Sequence, residues 1–188
     1  RAISAYEALL ARDSSNQAAL NNVSTLYART GDRDRAIAAL EAAIKVPRPF
    51  GGAFTNLLQG YAAQGDIAGM ERTAAEFKRR LPSHAQPWYA DVPIATAKGA
   101  LPAADSIAVH AYREARGSGQ RDMSSFHAGG VAFLRGRPKE GLRWFAAGNE
   151  AAMEGRGSTT PALMSGLDSA YIAALLLEDV PRARTLLA

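Results

Sequence analysis

The stretch YARTGD at residues 27–32 returns as YAAQGD at residues 61–66, so tyrosine, alanine, glycine and aspartate each recur after 34 positions. The same glycine appears again at Gly99, after the same interval, and at Gly136 after a slightly longer one. A fixed period of this length is typical of repeat architectures, in which each unit packs on its neighbours. The chain is therefore predicted to be an array of similar units.

Each of these glycines lies between two segments with helical spacing of apolar residues, which predicts a helical hairpin. Glycine suits the left-handed conformation that commonly follows the last residue of a helix. Asp32 and Asp66 then lie where their side chains can cap the next helix. Pro82, and less closely Pro47 and Pro49, should end the second helix, because the residue before a proline disfavours helical geometry.

The positions of bulky, small and turn residues in these hairpins resemble the tetratricopeptide repeat family. The first complete unit matches at Leu20, Val23, Tyr27, Gly31, Ala36, Leu40 and Ala43. The second matches at Phe54, Leu57, Tyr61, Gly65, Phe77 and Pro82, with Met70 in the alanine place. The resemblance implies an all-α fold, a right-handed α-α superhelix of stacked hairpins whose first helices line a concave surface.

Later units follow the pattern less closely. The third keeps Trp88 and Gly99 but has Ala95 in place of tyrosine, and Pro93 falls inside its first helix, where we expect a kink. The remaining matches are Ala104, Ala108 and Ala111 in the third unit, Gly136 and Phe145 in the fourth, and Ala183 in the fifth, where Glu178 replaces the turn glycine.

The predicted organisation is a single solenoid over residues 1–188. Its units span approximately 1–16, 17–50, 51–84, 85–121, 122–163 and 164–188. The first residues fit a second helix without its partner, and Ala188 falls inside another second helix, so we expect truncation at both ends and covalent continuation into further repeats or domains. Tyr6, Leu9 and Leu10 should then present apolar surface to an absent neighbour.

Composition limits the other classes of function. With 47% hydrophobic and 21% charged residues, the chain should fold rather than stay disordered. The absence of cysteine excludes disulfides and thiolate zinc sites, and it suits cytosol and periplasm equally. No apolar run approaches the roughly 18 to 20 residues that span a bilayer, so no membrane insertion is expected. Acidic and basic residues are interleaved around a net charge of +4, so nucleic acid is not the expected partner.

No motif for catalysis or cofactor binding stands out. A G-x-S-x-G elbow is missing, and the glycines at 117–119 and 155–157 lack the flanking strand and further glycines of nucleotide-binding loops. His84, His110 and His127 share no i, i+4 pairing of the kind found in zinc enzymes. The sequence therefore predicts no enzyme, no metal and no cofactor. The basic run at 78–80 is interpreted as complementing the dipole at the end of a helix.

The resemblance also indicates a binding surface, since inward positions of such units include the fifth, sixth and ninth of each first helix. Polar side chains occupy them in both well-matched units: Asn21, Asn22, Thr25, Thr55, Asn56 and Gln59. Asn22 and Asn56 share a register and should stack about 10 Å apart, as packed helices require. Such an asparagine ladder can hold the N-H and C=O groups of a peptide backbone, with Arg29 as a charged contact nearby. Amides that are merely solvated remain the alternative.

In the later units the ladder position holds Ala90, His127 and Ser169, so the ladder ends after two rungs. The groove should become more aromatic there through Tyr89 and Phe126, and His127 is placed for ligand contact. No lysine occupies any of these positions, which disfavours the lysine-rich clamp that a chaperone-binding subclass of the family uses.

The predicted function is a non-catalytic scaffold that binds a protein or peptide, within a larger bacterial protein. Bacterial origin is suggested by the frequent alanine and arginine, which are typical of a high-GC genome. A second hypothesis is a regulatory extension of a bacterial signalling enzyme, such as a serine/threonine kinase or a cyclase, whose catalytic domain lies outside this chain. A small-molecule or nucleic-acid binder is the third.

Overall fold

A computed structural model describes residues 1–84, 86 and 88–154, and over these residues the chain forms nine α-helices and no strand. The helices are α1 (Ala2–Arg12), α2 (Gln17–Arg29), α3 (Arg33–Lys45), α4 (Gly51–Gln64), α5 (Ile67–Arg80), α6 (Asp91–Ala97), α7 (Leu101–Arg113), α8 (Ser118–Leu134) and α9 (Pro138–Glu154). The predicted all-α, helical-repeat-like architecture is confirmed for this part of the chain. The predicted unit at 164–188 and the end of the one before it lie outside the described residues.

The helices fall into two compact units, Arg1–Ala90 with α1 to α5 and a second that begins at Asp91 with α6 to α9. Within each unit, every helix packs against the next one along the chain. This sequential packing is what an array of helical hairpins requires. None of the helices in the described ranges is long and apolar enough to cross a membrane.

The turn glycines and helix caps adopt the geometry that the sequence predicts. The φ angles of the turn glycines are positive: 84° at Gly31, 72° at Gly65, 71° at Gly99 and 70° at Gly136. The carboxylate of Asp32 accepts a hydrogen bond from the backbone N-H of Arg35 at 3.3 Å, and that of Asp66 accepts one from Gly69 at 2.8 Å. Each pair of a glycine and an aspartate thus ends one helix and starts the next.

Pro47 and Pro82 follow the ends of second helices, as predicted, whereas Pro93 does not act as expected. Helix α3 ends two residues before Pro47, and α5 ends two residues before Pro82. The kink expected at Pro93 is wrong. Helix α6 begins at Asp91 and has only seven residues, so Pro93 lies in its first turn, where the missing N-H has no intrahelical acceptor to lose.

In the first unit, the core includes aromatic residues at bulky positions of the repeat pattern. The rings of Phe54 and Phe77 stack with centroids 4.8 Å apart, and both side chains are fully buried. Tyr27, Leu40 and Tyr61 are also buried. Burial of each such side chain stabilises the fold by roughly 1.5 to 3 kcal/mol.

Arg80 joins α5 to the end of α3. Its guanidinium donates to the carbonyl oxygens of Val46 at 2.7 Å and Pro47 at 3.0 Å, and also to that of Ile44. Carbonyls at a helix C-terminus lack intrahelical donors, so Arg80 satisfies groups that would otherwise need water. The basic run at 78–80 is therefore divided in its roles, because Arg79 instead pairs with Glu76 of its own helix at 2.9 Å.

The second unit is built from smaller residues. Its core cluster consists of Val92, Ala95, Ala104, Ala108, Ala128 and Val131. Glycines let α8 and α9 approach closely: a Cβ at Gly129 would lie 2.5 Å from the ring of Phe145, and one at Gly141 would lie 2.5 Å from the ring of Phe133. Asp105 of α7 pairs with Arg137 at 3.0 Å and with Arg135.

Candidate functional site

A groove in the first unit opens between α2 and α4, with α3 behind it. It encloses a volume of about 380 Å³. Its lining residues are Ser24, Thr25 and Ala28 of α2, Arg33, Ala36, Ile37 and Leu40 of α3, and Asn56, Gln59, Gly60 and Ala63 of α4. Ligand pockets commonly measure about 300 to 1,000 Å³, so this α2–α4 groove has room for one or a few side chains of a partner.

Small residues create the space. Positions 56, 59, 60 and 63 lie on one face of α4, following the i, i+3, i+4, i+7 spacing of a helix. Ala28, Gly60 and Ala63 line the groove without filling it. A Cβ at Gly60 would lie 3.2 Å from Cγ1 of Ile37, so a glycine there preserves the depth of the groove above α3.

The amide of Asn56 pairs with that of Asn21, and not with that of Asn22 as the predicted ladder requires. Asn56 Nδ2 donates to Asn21 Oδ1 at 2.8 Å, whereas Asn22 Nδ2 donates to the hydroxyl of Tyr6 on α1 at 3.2 Å. Consecutive residues of a helix point about 100° apart, so only one of the two asparagines on α2 can face α4. Asn21 does so, and Asn22 turns toward α1.

The Asn21–Asn56 pair keeps unused hydrogen-bonding capacity. A primary amide has two N-H donors and one carbonyl acceptor, and a single bond between two amides leaves one acceptor and several donors. Within the described residues, no other side-chain bond engages Asn21 or Asn56. The hydroxyls of Thr25 and Thr55 donate instead to the carbonyls of Asn21 and Gly52 of their own helices, at 3.2 and 3.0 Å. The amides are thus the groups best placed to bond a partner at this edge of the groove.

Arg33 is the charged member of the lining, and no acidic residue is among the lining residues that the structure describes. Arg29, the charged contact that the sequence predicted, is exposed in the last turn of α2. Neither arginine side chain forms an ion pair or hydrogen bond with another described residue. The guanidinium of Arg33 is therefore unpaired at the groove wall.

The remaining predicted contact residues lie elsewhere. Tyr89 is partly buried in the first unit, with its ring 5.9 Å from that of buried Trp88. In the second unit, Phe126 is 38% exposed, and its ring packs 5.8 Å from Phe145 and 5.7 Å from His127. Ser169 lies outside the described residues.

His127 is partly buried on α8, and this burial lowers the pKa of its imidazole to about 4. The imidazole is accordingly neutral near pH 7 and adds no charge to the surface of the second unit. Sequence reasoning placed it for ligand contact, and a neutral ring there can offer one donor and one acceptor.

Sequence reasoning missed two hydrogen bonds, each of which joins a tyrosine to a glutamate on the helix that precedes it in the chain. The hydroxyl of Tyr27 donates to Glu7 at 2.8 Å, and that of Tyr61 donates to Glu41. The guanidinium of Arg35 lies 4.1 Å over the ring of Tyr27 and also pairs with Glu7. The signal was available, because the two glutamates are separated by the same interval along the chain as the two tyrosines.

A buried carboxyl in the second unit is the other group that could carry chemistry. Asp122 of α8 is 4% exposed, its Oδ1 atom has no hydrogen-bond partner, and burial raises its pKa. Gly148 of α9 lies against it, since a Cβ there would be 3.2 Å from Oδ1 of Asp122 and 2.4 Å from Oγ of Ser125. In the ranges that the structure describes, no group of three or more histidine and acidic residues could hold a metal ion.

The sequence matches no protein-family model, and it shows no significant similarity to any curated protein. The function must therefore be argued from the groove and its residues.

Proposed function

We propose that this chain is a non-catalytic module that binds a protein or peptide, a solenoid of the tetratricopeptide type with the α2–α4 groove as part of its concave binding face. The observation that carries the proposal is the Asn21–Asn56 pair, bonded once at 2.8 Å and otherwise free at the groove edge. One free acceptor beside free donors is complementary to a peptide group, which offers one N-H and one C=O.

The lining of the groove favours binding over catalysis. Its hydroxyls come from Ser24 and Thr25, and both donate to the carbonyl oxygen of Asn21, at 2.6 and 3.2 Å. A nucleophile would need an adjacent base, and the described lining holds no histidine, carboxylate or lysine to act as one. A hydrophobic depression with amides at its edge instead suits an extended segment, whose backbone bonds the amides while one side chain enters the groove.

Peptide selection followed by paired substitutions tests the proposal. A displayed library of random linear peptides should yield a family that binds the chain. Replacing Asn21 and Asn56 together by alanine should weaken binding of the enriched peptide by about 1 to 3 kcal/mol through lost hydrogen bonds. Titration calorimetry measures the affinity, and thermal unfolding checks that the helices persist.

Asn22→Ala is the matched control. It removes an amide from the same helix, but that amide is bonded to Tyr6 and not to α4. Its effect on the affinity should be small. Failure of the library to yield any binding peptide, or equal losses from the control and the double variant, would count against the groove as the binding surface.

A further inference from the structure

We infer that the α2–α4 groove selects peptides in which a large apolar side chain lies close to a carboxylate, with Arg33 as the residue that recognises the carboxylate. This inference rests on the proposed function and adds the chemical class of its ligand. Two features carry it: the lining of the groove and the ion pairs around Arg33.

The apolar requirement follows from the walls. Most lining side chains are alanine, isoleucine, leucine or glycine, and Ala28, Ile37 and Ala63 are accessible to a ligand from outside. The amides of Asn56 and Gln59 lie along one side only. An apolar side chain that enters this groove, whose volume is about 380 Å³, removes hydrocarbon surface from water on both partners. A polar side chain there would lose its hydration without gaining enough partners.

The carboxylate requirement follows from a guanidinium that neither neighbouring carboxylate contacts. Arg33 has an acidic neighbour on each side in sequence, but both are engaged: Asp32 with Arg35 at 3.6 Å, and Asp34 with the amide of Gln64 at 3.0 Å. Arg35, the other arginine of this turn, is engaged by Glu7. Arg33 is thus left with a free guanidinium at the groove wall.

A guanidinium forms two parallel hydrogen bonds with a carboxylate, and these charge-assisted bonds are stronger than neutral ones. Arg29, exposed and likewise without a partner among the described residues, adds positive potential from the end of α2. An acidic residue or a chain-terminal carboxylate of the ligand fits this chemistry. A basic peptide would be repelled.

The test uses the whole chain and peptides from the displayed random library. The enriched family should pair a large apolar residue with a nearby aspartate, glutamate or chain terminus. Its glutamate and glutamine forms, or free-acid and amide forms, are then titrated against four variants. Arg33→Gln should weaken binding of the acidic peptide by about tenfold or more and abolish the difference in affinity between the acidic and neutral forms. Arg12→Gln, which removes the same charge from exposed α1, should change neither the affinity for the acidic peptide nor this difference.

A second pair of variants tests the position of the apolar side chain. Ala28→Leu fills the groove from α2 and should greatly reduce binding of both peptide forms. Ala62→Leu makes the same change at the exposed equivalent position of the next repeat, on α4 and outside the lining, and should leave binding intact. Circular dichroism confirms that each variant folds.

The outcomes separate the two proposals. If the acidic and neutral peptides bind equally, or if Arg33→Gln and Arg12→Gln behave alike while Ala28→Leu still blocks binding, the carboxylate inference is overturned and the peptide groove stands. If Ala28→Leu has no effect, or if the library yields no peptide, both the inference and the proposed function fall.

Discussion

Tyr27 and Tyr61 each donate a phenolic hydrogen bond to a glutamate on the helix that precedes their own hairpin. A buried tyrosine hydroxyl needs a partner, so each tyrosine of this repeat depends on its glutamate. The next repeat has alanine at both equivalent positions, Ala75 and Ala95. The tyrosine and the glutamate are therefore present together in two units and absent together in the third. This pattern fits the hydrogen bond, because each residue is the other's partner.

The hydrogen bond between Tyr61 and Glu41 predicts how the stability of the fold depends on pH. Burial, followed by the hydrogen bond to Glu41, raises the pKa of Tyr61 from 10.0 to about 12. The folded state then holds this proton more tightly than the unfolded state, so the stability contributed by Tyr61 is complete below pH 10 and is lost between about pH 10 and 12. Tyr61→Phe cannot titrate, so its free energy of unfolding should fall less steeply over that range, by at most about 3 kcal/mol.

Urea unfolding of both proteins at a series of pH values, followed by circular dichroism, measures this difference. Below pH 9 the variant should be the less stable protein by a constant amount, or equal to the native one. Parallel curves from pH 9 to 12 would show that the hydroxyl of Tyr61 is as free to ionise in the folded state as in the unfolded one.

At the level of single residues, the sequence identified polar residues that lie at the groove, but not how they pair. Asn21, Asn56, Thr25 and Gln59 were all named as contact residues, and they do lie in or beside one groove. The pairing of Asn56 with Asn21 instead of Asn22 depends on how α2 is rotated about its axis. That rotation is set by packing against α1, α3 and α4 together, which the period of the repeat does not specify.

Arg33 was missed for a related reason. Its sequence context, with an acid on each side, resembles an ordinary solvated charge cluster. Only the structure shows that Asp32 and Asp34 are engaged by Arg35 and Gln64, which leaves Arg33 free.

For whole helices, local rules worked where the interaction is local. Glycine turns and aspartate caps involve residues within one turn of each other, and the helix ends at Gly31 and Gly65 were predictable. The same kind of rule failed at Pro93, because the start of α6 was not recognised and a first-turn proline was taken for an interior one. The cap on α3 comes from Arg80, which lies a whole repeat further along the chain, and no local rule could find it.

Arg80 and Arg79 form a matched pair for a stability measurement. Both lie in the last turn of α5, but the Arg80 side chain is 18% exposed and the Arg79 side chain is 69% exposed. Arg80→Gln should lower the free energy of unfolding by about 1.5 to 3 kcal/mol, since it removes charge-assisted bonds to the end of α3. Arg79→Gln should change it by no more than about 0.5 kcal/mol. Chemical denaturation compares them, and equal effects would mean that the carbonyls of α3 are satisfied as well by water.

Across the molecule, the regular repeat pattern and the bulky cores belong to the first compact unit. Between Asp91 and Glu154 the turn glycines persist at Gly99 and Gly136, but the core positions are filled mainly by alanine, and glycines bring α8 and α9 close together. Gly129 and Gly141 each face a phenylalanine ring of the other helix, and that ring occupies the space a side chain at the glycine would need, so the packing stays dense. The helical hairpin thus forms with either large or small core side chains. This explains why the turn glycines still occur in units that lack the aromatic residues of the pattern.

Stability should also be uneven within the first unit, and hydrogen exchange can map it. Helix α1 contains no buried residue, and its apolar contacts with the core come from Ile3, Tyr6 and Leu10, which are partly buried. Helices α4 and α5 contain five buried residues each, including the stacked Phe54 and Phe77. Local opening costs least where few apolar contacts are broken. Amides in the middle of α1 should therefore exchange at least about tenfold faster than those in the middle of α4, which corresponds to a gap of about 1.4 kcal/mol in opening free energy. Equal protection of the two helices in a dilute monomer would show that the Glu7 tie to Tyr27 and Arg35 holds α1 as firmly as buried contacts hold α4.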